Sequence, residues 1–186
     1  MKGDRKIGVA LDFSKSSNAA LAWAINNLLD KGETLIVIHV KHANANKHAL
    51  WPKSGSPLIP LSEMRQPEVM KQYDLETDTE VLDLLDTAAS QKEATVVTKL
   101  YWGDAREKLY EAVQELKLDS LVMGSRGLGT IQRYIYMDQL INHLAIYITR
   151  SPLYIYTLTN NLNPLYKLSI SLWNIPPFSL RSIDQI

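Results

Sequence analysis

The chain has 186 residues, 46% apolar and 22% charged, the composition of an ordinary globular domain; wholesale disorder is excluded. Twenty Lys and Arg balance twenty Asp and Glu, so there is no basic surplus of the kind that wraps duplex nucleic acid, and no nucleic-acid partner is expected. Cysteine is absent, which removes disulfide frameworks, thiolate zinc sites and thiol catalysis, and fits a reducing, cytoplasmic setting.

The charged start leads into a β-like run at residues 6–11 that is too short for a secretory core. Ser16 or Ser17 is placed to cap a helix with Ala19, Ala20, Trp23, Ala24 and Leu28 on its apolar stripe, and Gly32 stops it. Residues 34–40 are rich in β-branched side chains and read as a strand buried on both faces. Residues 41–67 read as a long irregular connection, and residues 67–92 as one helix carrying Val81, Leu82, Leu84, Leu85 and Ala88. A third strand at residues 95–101 precedes a helix capped by Asp104, with Glu107 at the capping-box position and Leu109, Ala112, Val113 and Leu116 as its stripe. A fourth strand at residues 120–123 ends on Gly124, and a fifth fits residues 152–157. Beyond Arg133 only Asp138, Arg150, Lys167, Arg181 and Asp184 carry charge. The most apolar stretch, residues 134–156, is interrupted by Asp138, Arg150 and Pro152, so no membrane span is expected. The division read from this pattern is an α/β domain over residues 1–158 and an apolar tail without clear period over 159–186.

Apolar strands alternating with amphipathic helices predict an open, mostly parallel five-stranded sheet with helices on both faces. Ligands in such sheets sit beyond the carboxyl ends of the strands, where strand order reverses. That points to residues 10–13, Val40 and the segment from Met123 onward. In MGSRGLG (residues 123–129) the glycines let backbone N–H groups approach phosphate oxygens and Arg126 adds a positive charge; the alternative is a tight turn. Asp12, where the first strand ends, is placed to accept hydrogen bonds from ribose hydroxyls, or else to serve a turn or helix cap.

Other groups do not assemble into a site. His39, His42 and His48 lack regular metal spacing and read as satisfied or solvated, and His143 as packing. Ser14, Ser16 and Ser17 have no base placed by a readable motif. The four tryptophans are dispersed and read as packing, and acidic pairs such as Asp83/Asp86 and Glu111/Glu115 read as solvated helix faces. With no nucleophile, base and oxyanion donor brought together, an enzyme is not expected.

Five blocks in order carry a family resemblance: GVALDFS (8–14), LIVIHV (35–40), WPKSGSPLIP (51–60), VTKLYWGDAREKL (97–109) and LDSLVMGSRGL (118–128). Together they resemble a plant universal stress protein, a UspA-like domain, over about residues 4–133. The resemblance implies a Rossmann-like fold of the adenine nucleotide α hydrolase-like kind, homodimerisation through the last strand, and ATP or AMP binding in a stress-response role. It implies that Asp12 holds the ribose, that Val40 meets the adenine edge through its backbone, that Ala10 and Leu11 line the base side, and that Phe13 belongs to the same binding segment. It further implies that Met123, Gly124, Ser125, Arg126 and Gly127 surround the ribose and phosphates. At the two positions where the nucleotide-binding subclass carries Gly and then Ser or Thr, this chain has Met137 and Asp138. A Met side chain obstructs the backbone approach that Gly permits, and Asp138 brings negative charge toward a polyphosphate. The adenosine half of the site is expected intact and the polyphosphate half damaged. SPLYIY (151–156) is similar to the family's final strand. Two rival readings stand beside this one: a nucleotide-independent, chaperone-like protein that works through the apolar tail and unidentified protein partners, and an adenylyl-transferring enzyme. The missing His-x-Gly-His and Ser-Gly-Gly loops weigh against the second.

Overall fold

The computed structural model describes residues 5–41, 56–75, 78–124, 153–158 and 164–170. Strand β1 (Lys6–Ala10) leads into helix α1 (Lys15–Asn27), and β2 (Thr34–Lys41) follows. Next come β3 (Leu58–Pro60), α2 (Leu61–Met64), α3 (Pro67–Gln72) and α4 (Thr79–Gln91). The remaining elements are β4 (Thr95–Trp102), α5 (Ala105–Leu116), β5 (Ser120–Gly124), β6 (Leu153–Leu158) and β7 (Pro164–Ile170). The sheet runs β3-β4-β2-β1-β5-β6-β7. Strands β4, β2, β1, β5 and β6 pair in parallel, the predicted five-stranded core, while β3 and β7 add antiparallel edges.

The two faces of β1 and β2 read directly from their alternation. Ile7, Val9, Leu11, Leu35 and Val37 bury against α1, α4 and the short α2 and α3. Ile36, Ile38, Leu121 and Met123 bury against α5 through Leu109, Ala112 and Val113. Helices therefore lie on both faces. The reason is topological: right-handed crossovers that move outward from β1 to β2 and β4 put their helices on one face, and the return from β4 to β5 puts α5 on the other.

Several elements differ from the sequence expectation. The cap of α1 is Ser14, not Ser16 or Ser17; its side chain accepts from the Ser17 N–H. The single helix expected over residues 67–92 is two, because the Asp78 side chain accepts from the N–H groups of Glu80 and Val81 and starts α4 afresh. Part of the connection expected to be irregular forms β3 and α2, and residues 164–170 of the tail pair along β6. Residues 42–55 and the rest of the tail lie outside the described residues, as do His42, His48, His143, Trp51 and Trp173.

Charged groups tie the sheet together at its amino end and on its α5 face. At the amino end, Arg5 donates to both carboxylate oxygens of buried Glu33 (2.5 and 3.0 Å) and to Asp30 (3.0 Å), fastening β1 to the turn before β2. On the α5 face, the nearly buried Lys99 donates to Glu115 Oε1 at 2.6 Å and Tyr101 Oη donates to Glu115 Oε2 at 2.7 Å. Lys99 Nζ also stands 5.6 Å from the Tyr101 ring centre. Glu115 is exposed on its helix face, as expected, and it also satisfies two groups that the sheet buries. Burial and the Glu115 carboxylate push the Tyr101 phenol far above its ordinary range.

Burial works to raise the Glu115 carboxyl, but the hydrogen bonds from Lys99 and Tyr101 and the Lys99 charge prevail and hold it below its ordinary value. A carboxyl whose folded value is depressed stabilises the fold above its unfolded value, near about pH 4.3, and loses that contribution as pH falls through the folded value. The urea midpoint should therefore drop as pH is lowered from about 5 toward about 3, and Glu115→Gln should show a smaller drop over that interval.

Candidate functional site

The order of the parallel strands reverses between β1 and β5, so their carboxyl ends open a crevice from which α1 departs on one face and α5 packs on the other. Ala10 of β1 is in register with Ile38 of β2 and with Met123 of β5. Strand alternation then puts Ala10, Val40 and Met123 on the α5 face, where all three belong to one apolar cluster. These are three of the residues expected from the sequence, brought together on adjacent strands. Asp12 lies two residues past Ala10 and Gly124 one past Met123, at neighbouring strand ends.

Residues 11–14 form a tightly bonded turn. Asp12 Oδ1 accepts from the Ser14 N–H (3.2 Å) and from Ser14 Oγ (2.6 Å), an Asx-type turn. The Asp12 N–H donates to Ser17 Oγ (3.2 Å), which in turn donates to the Ser14 carbonyl (3.0 Å). The Asp12 carboxylate is exposed at the crevice mouth while its orientation is fixed by the start of α1. The serines that lacked a catalytic base in the sequence belong to this bonded turn.

Leu11 has a different place from the one its motif implied. Its side chain is buried in the α1-face core, its N–H donates to the Ile38 carbonyl, and its own carbonyl faces His39 Nδ1 at 2.7 Å. Phe13 sits in the left-handed region at φ 60° and packs its ring 5.0 Å from the His39 ring. His39 is therefore a hydrogen-bonded histidine, as expected. Burial lowers its pKa; the hydrogen bond to Leu11 and the nearby Asp12 partly restore it, and the Lys41 charge adds to the lowering. A neutral imidazole facing a carbonyl, which only accepts, carries its proton on Nδ1.

Gly124 makes a close approach, to the protein's own backbone. A Cβ there would stand 2.5 Å from the Ser16 carbonyl oxygen and 2.9 Å from the Ser17 nitrogen. The glycine lets the first turn of α1 lie directly on the end of β5. Ser125, Arg126, Gly127, Met137 and Asp138 lie outside the described residues. Among the described residues there is no cluster of three or more His, Asp or Glu that could hold a metal ion, and no helix long and apolar enough to cross a membrane.

The profile of the Universal stress protein family matches residues 4–143. The chain belongs to this family. It is 32% identical to Universal stress protein PHOS32 of Arabidopsis thaliana over 133 residues, 67% of this chain and 52% of that protein. The figures for Universal stress protein PHOS34 of the same plant are 32% over 138 residues, 69% and 52%. The chain thus spans about half the length of the curated relatives it matches. Among solved structures, universal stress protein UspA from Lactobacillus plantarum superposes with a TM-score of 0.51 at 18% identity, covering 84% of this chain and 99% of that one. A universal stress protein in complex with cAMP gives a TM-score of 0.50 at 17% identity, covering 85% and 98%. At such identities the likeness establishes the fold of this universal stress protein family member.

His39 and Ser17 are the site residues that motif reading passed over. The available signal was the alternation of β2: His39 shares the face of Val37, which is the α1 face that Leu11 and Phe13 also occupy. For Gly124, the nearest atoms are main chain and cannot swing away. Gly124→Ala should therefore destabilise the protein by about 1–3 kcal/mol, read as a lowered urea midpoint with no bound ligand present. An unchanged midpoint would mean that the first turn of α1 yields without cost.

Proposed function

We propose that this universal stress protein family member binds an adenine nucleotide without catalysis, and acts in stress responses through protein partners in the cytoplasm. The observation that carries this reading is the juxtaposition at the reversal of strand order. Ala10, Val40 and Met123 make an apolar floor on one face, and the oriented carboxylate of Asp12 stands at its mouth. An apolar floor suits a purine, and a fixed carboxylate suits the paired hydroxyls of a ribose. A structural relative described in complex with cAMP adds support from the same fold. The phosphates would then meet the backbone and Arg126 of the MGSRGLG segment.

Met137 and Asp138, in place of Gly and then Ser or Thr, make the reading specific as to ligand. Asp138 toward the outer phosphates costs charge repulsion and leaves the hydroxyl donor missing, so the nucleoside and first phosphate carry the affinity. Calorimetric titration should give AMP a dissociation constant equal to or lower than that of ATP. Asp12→Ala should weaken AMP binding by about tenfold or more, the worth of one hydrogen bond to a charged group. ATP binding clearly tighter than AMP, or AMP binding indifferent to position 12, would refute this assignment.

A second reading has its own support. Asp12 and Gly124 both have jobs within the fold, one in the turn and one under α1, and those jobs need no nucleotide. On that reading the apolar tail is the working surface. It also bears on self-association: β7 pairs antiparallel along β6, on the side away from β5, so the outer edge of β6 is taken by the chain itself. A homodimer built on the last strand would have to use the outer edge of β7 instead. Native mass spectrometry should find one AMP per subunit and a single subunit per particle at low micromolar concentration. A nucleotide-free protein would favour the second reading, and a tight dimer would return the edge of the sheet to self-association.

A further inference from the structure

We propose that His39 is the positioning residue of the nucleoside site, acting through the turn that carries Asp12 and not by touching the ligand. The inference rests on the nucleoside reading of the crevice mouth and deepens it. His39 occupies the penultimate pair of positions in β2 with Val40, but the two side chains leave on opposite faces. Val40 joins Ala10 and Met123 on the α5 face, whereas His39 turns to the α1 face and meets Leu11 and Phe13. It therefore bears on both neighbours of Asp12 at once. Its Nδ1 bonds the Leu11 carbonyl at 2.7 Å, immediately before Asp12, and its ring packs 5.0 Å from that of Phe13, immediately after.

Phe13 explains why such a clamp is needed. A phenylalanine at φ 60° holds a backbone conformation that side-chain sterics oppose, and such conformations persist only where surrounding contacts over-determine them. The Leu11 N–H bond to Ile38 fixes the turn to β2 on one side, and the Ser14 and Ser17 bonds fix it to α1 on the other. Between them, His39 bonds the Leu11 carbonyl and packs against the Phe13 ring, which also rests on the α1-face core. Releasing the His39 contacts lets residues 11–13 relax toward ordinary backbone angles, which re-aims the Asp12 carboxylate without removing it.

Three measurements on the full chain test this. Long-range nitrogen–proton NMR of the wild-type protein at pH 7 should find His39 neutral with its proton on Nδ1; a proton on Nε2 would overturn the clamp. His39→Leu should speed amide hydrogen exchange at Asp12 and Ser14 and weaken AMP binding by about tenfold, while still unfolding cooperatively. His39→Asn, whose side-chain amide reproduces a donor near the Nδ1 position but not the ring, should recover exchange protection and AMP affinity in part, to between those of His39→Leu and wild type. Exchange at Asp12 and Ser14 unchanged in His39→Leu would overturn the clamp, and AMP affinity unchanged in His39→Leu but lost in Asp12→Ala would overturn the positioning role. A wild-type protein that binds no AMP would instead defeat the nucleoside reading itself, and this role with it, whatever the exchange data say.

Discussion

The pairing of β1 on both sides is the constraint from which the rest of the molecule follows. Because Ala10 is in register with Ile38 on one flank and Met123 on the other, β1 is the strand at which chain order turns around. Helices leaving its two neighbours must then go to opposite faces, and the strand ends part between them. The burial of Ile7, Val9 and Leu11 on one face enforces that position, and Gly8 on the other face helps to allow it. A Cβ at Gly8 would stand 2.5 Å from a methyl of Leu118, so only a bare backbone passes there without displacing the α5-side core.

The polar groups at the two ends of this sheet are arranged differently around β1. At the amino ends, Arg5, Asp30 and Glu33 are bound to one another, with the Asp30 N–H also donating to Glu33 at 2.8 Å. Lys6 and Asp119 close the β1–β5 pair at the same level, through the Lys6 N–H to the Asp119 carboxylate at 2.8 Å. Those carboxylates are spent on the chain itself. At the carboxyl ends the polar groups gather in the turn after β1 and at the start of α1, beside the crevice, in a segment that includes a strained backbone position.

The parallel core was legible because its strands are buried on both faces. Runs such as LIVIHV leave little choice but a central strand, and the helix stripes at Leu109, Ala112 and Val113 bury as their spacing required. What the pattern could not supply was set by single hydrogen bonds. Ser14 rather than Ser16 or Ser17 caps α1 because the Asp12 carboxylate holds Ser14 in place, a relation invisible to helix periodicity. The split between α3 and α4 turns on the Asp78 cap within a stretch of good helix formers. The edge strands β3 and β7 are short or weakly patterned, and an edge strand needs only one satisfied flank, so neither carries the apolar density of the core. The pairing of Glu115 was hidden for a related reason: its partners Lys99 and Tyr101 come from β4, and the packing of α5 on that strand brings them within reach.

The site divides along the same line. The family motifs single out Asp12, Ala10, Val40 and Met123, and the structure brings these to neighbouring strand ends because they occupy fixed offsets that sequence records directly. Gly124 shows where such reading stops. A glycine at a strand end is consistent with either a ligand or a backbone passing close by, and the sequence contains no term that distinguishes them; the first turn of α1 does. His39 illustrates the converse. Nothing in LIVIHV marks the imidazole as relevant to Asp12, since the two are 27 positions apart in the chain and His39 turns to the face opposite the apolar floor. They meet only because Leu11 bonds Ile38 in the adjacent strand, which sets His39 beside the turn. A residue that acts by holding a turn is written into register and face, and those become readable once the strands are paired.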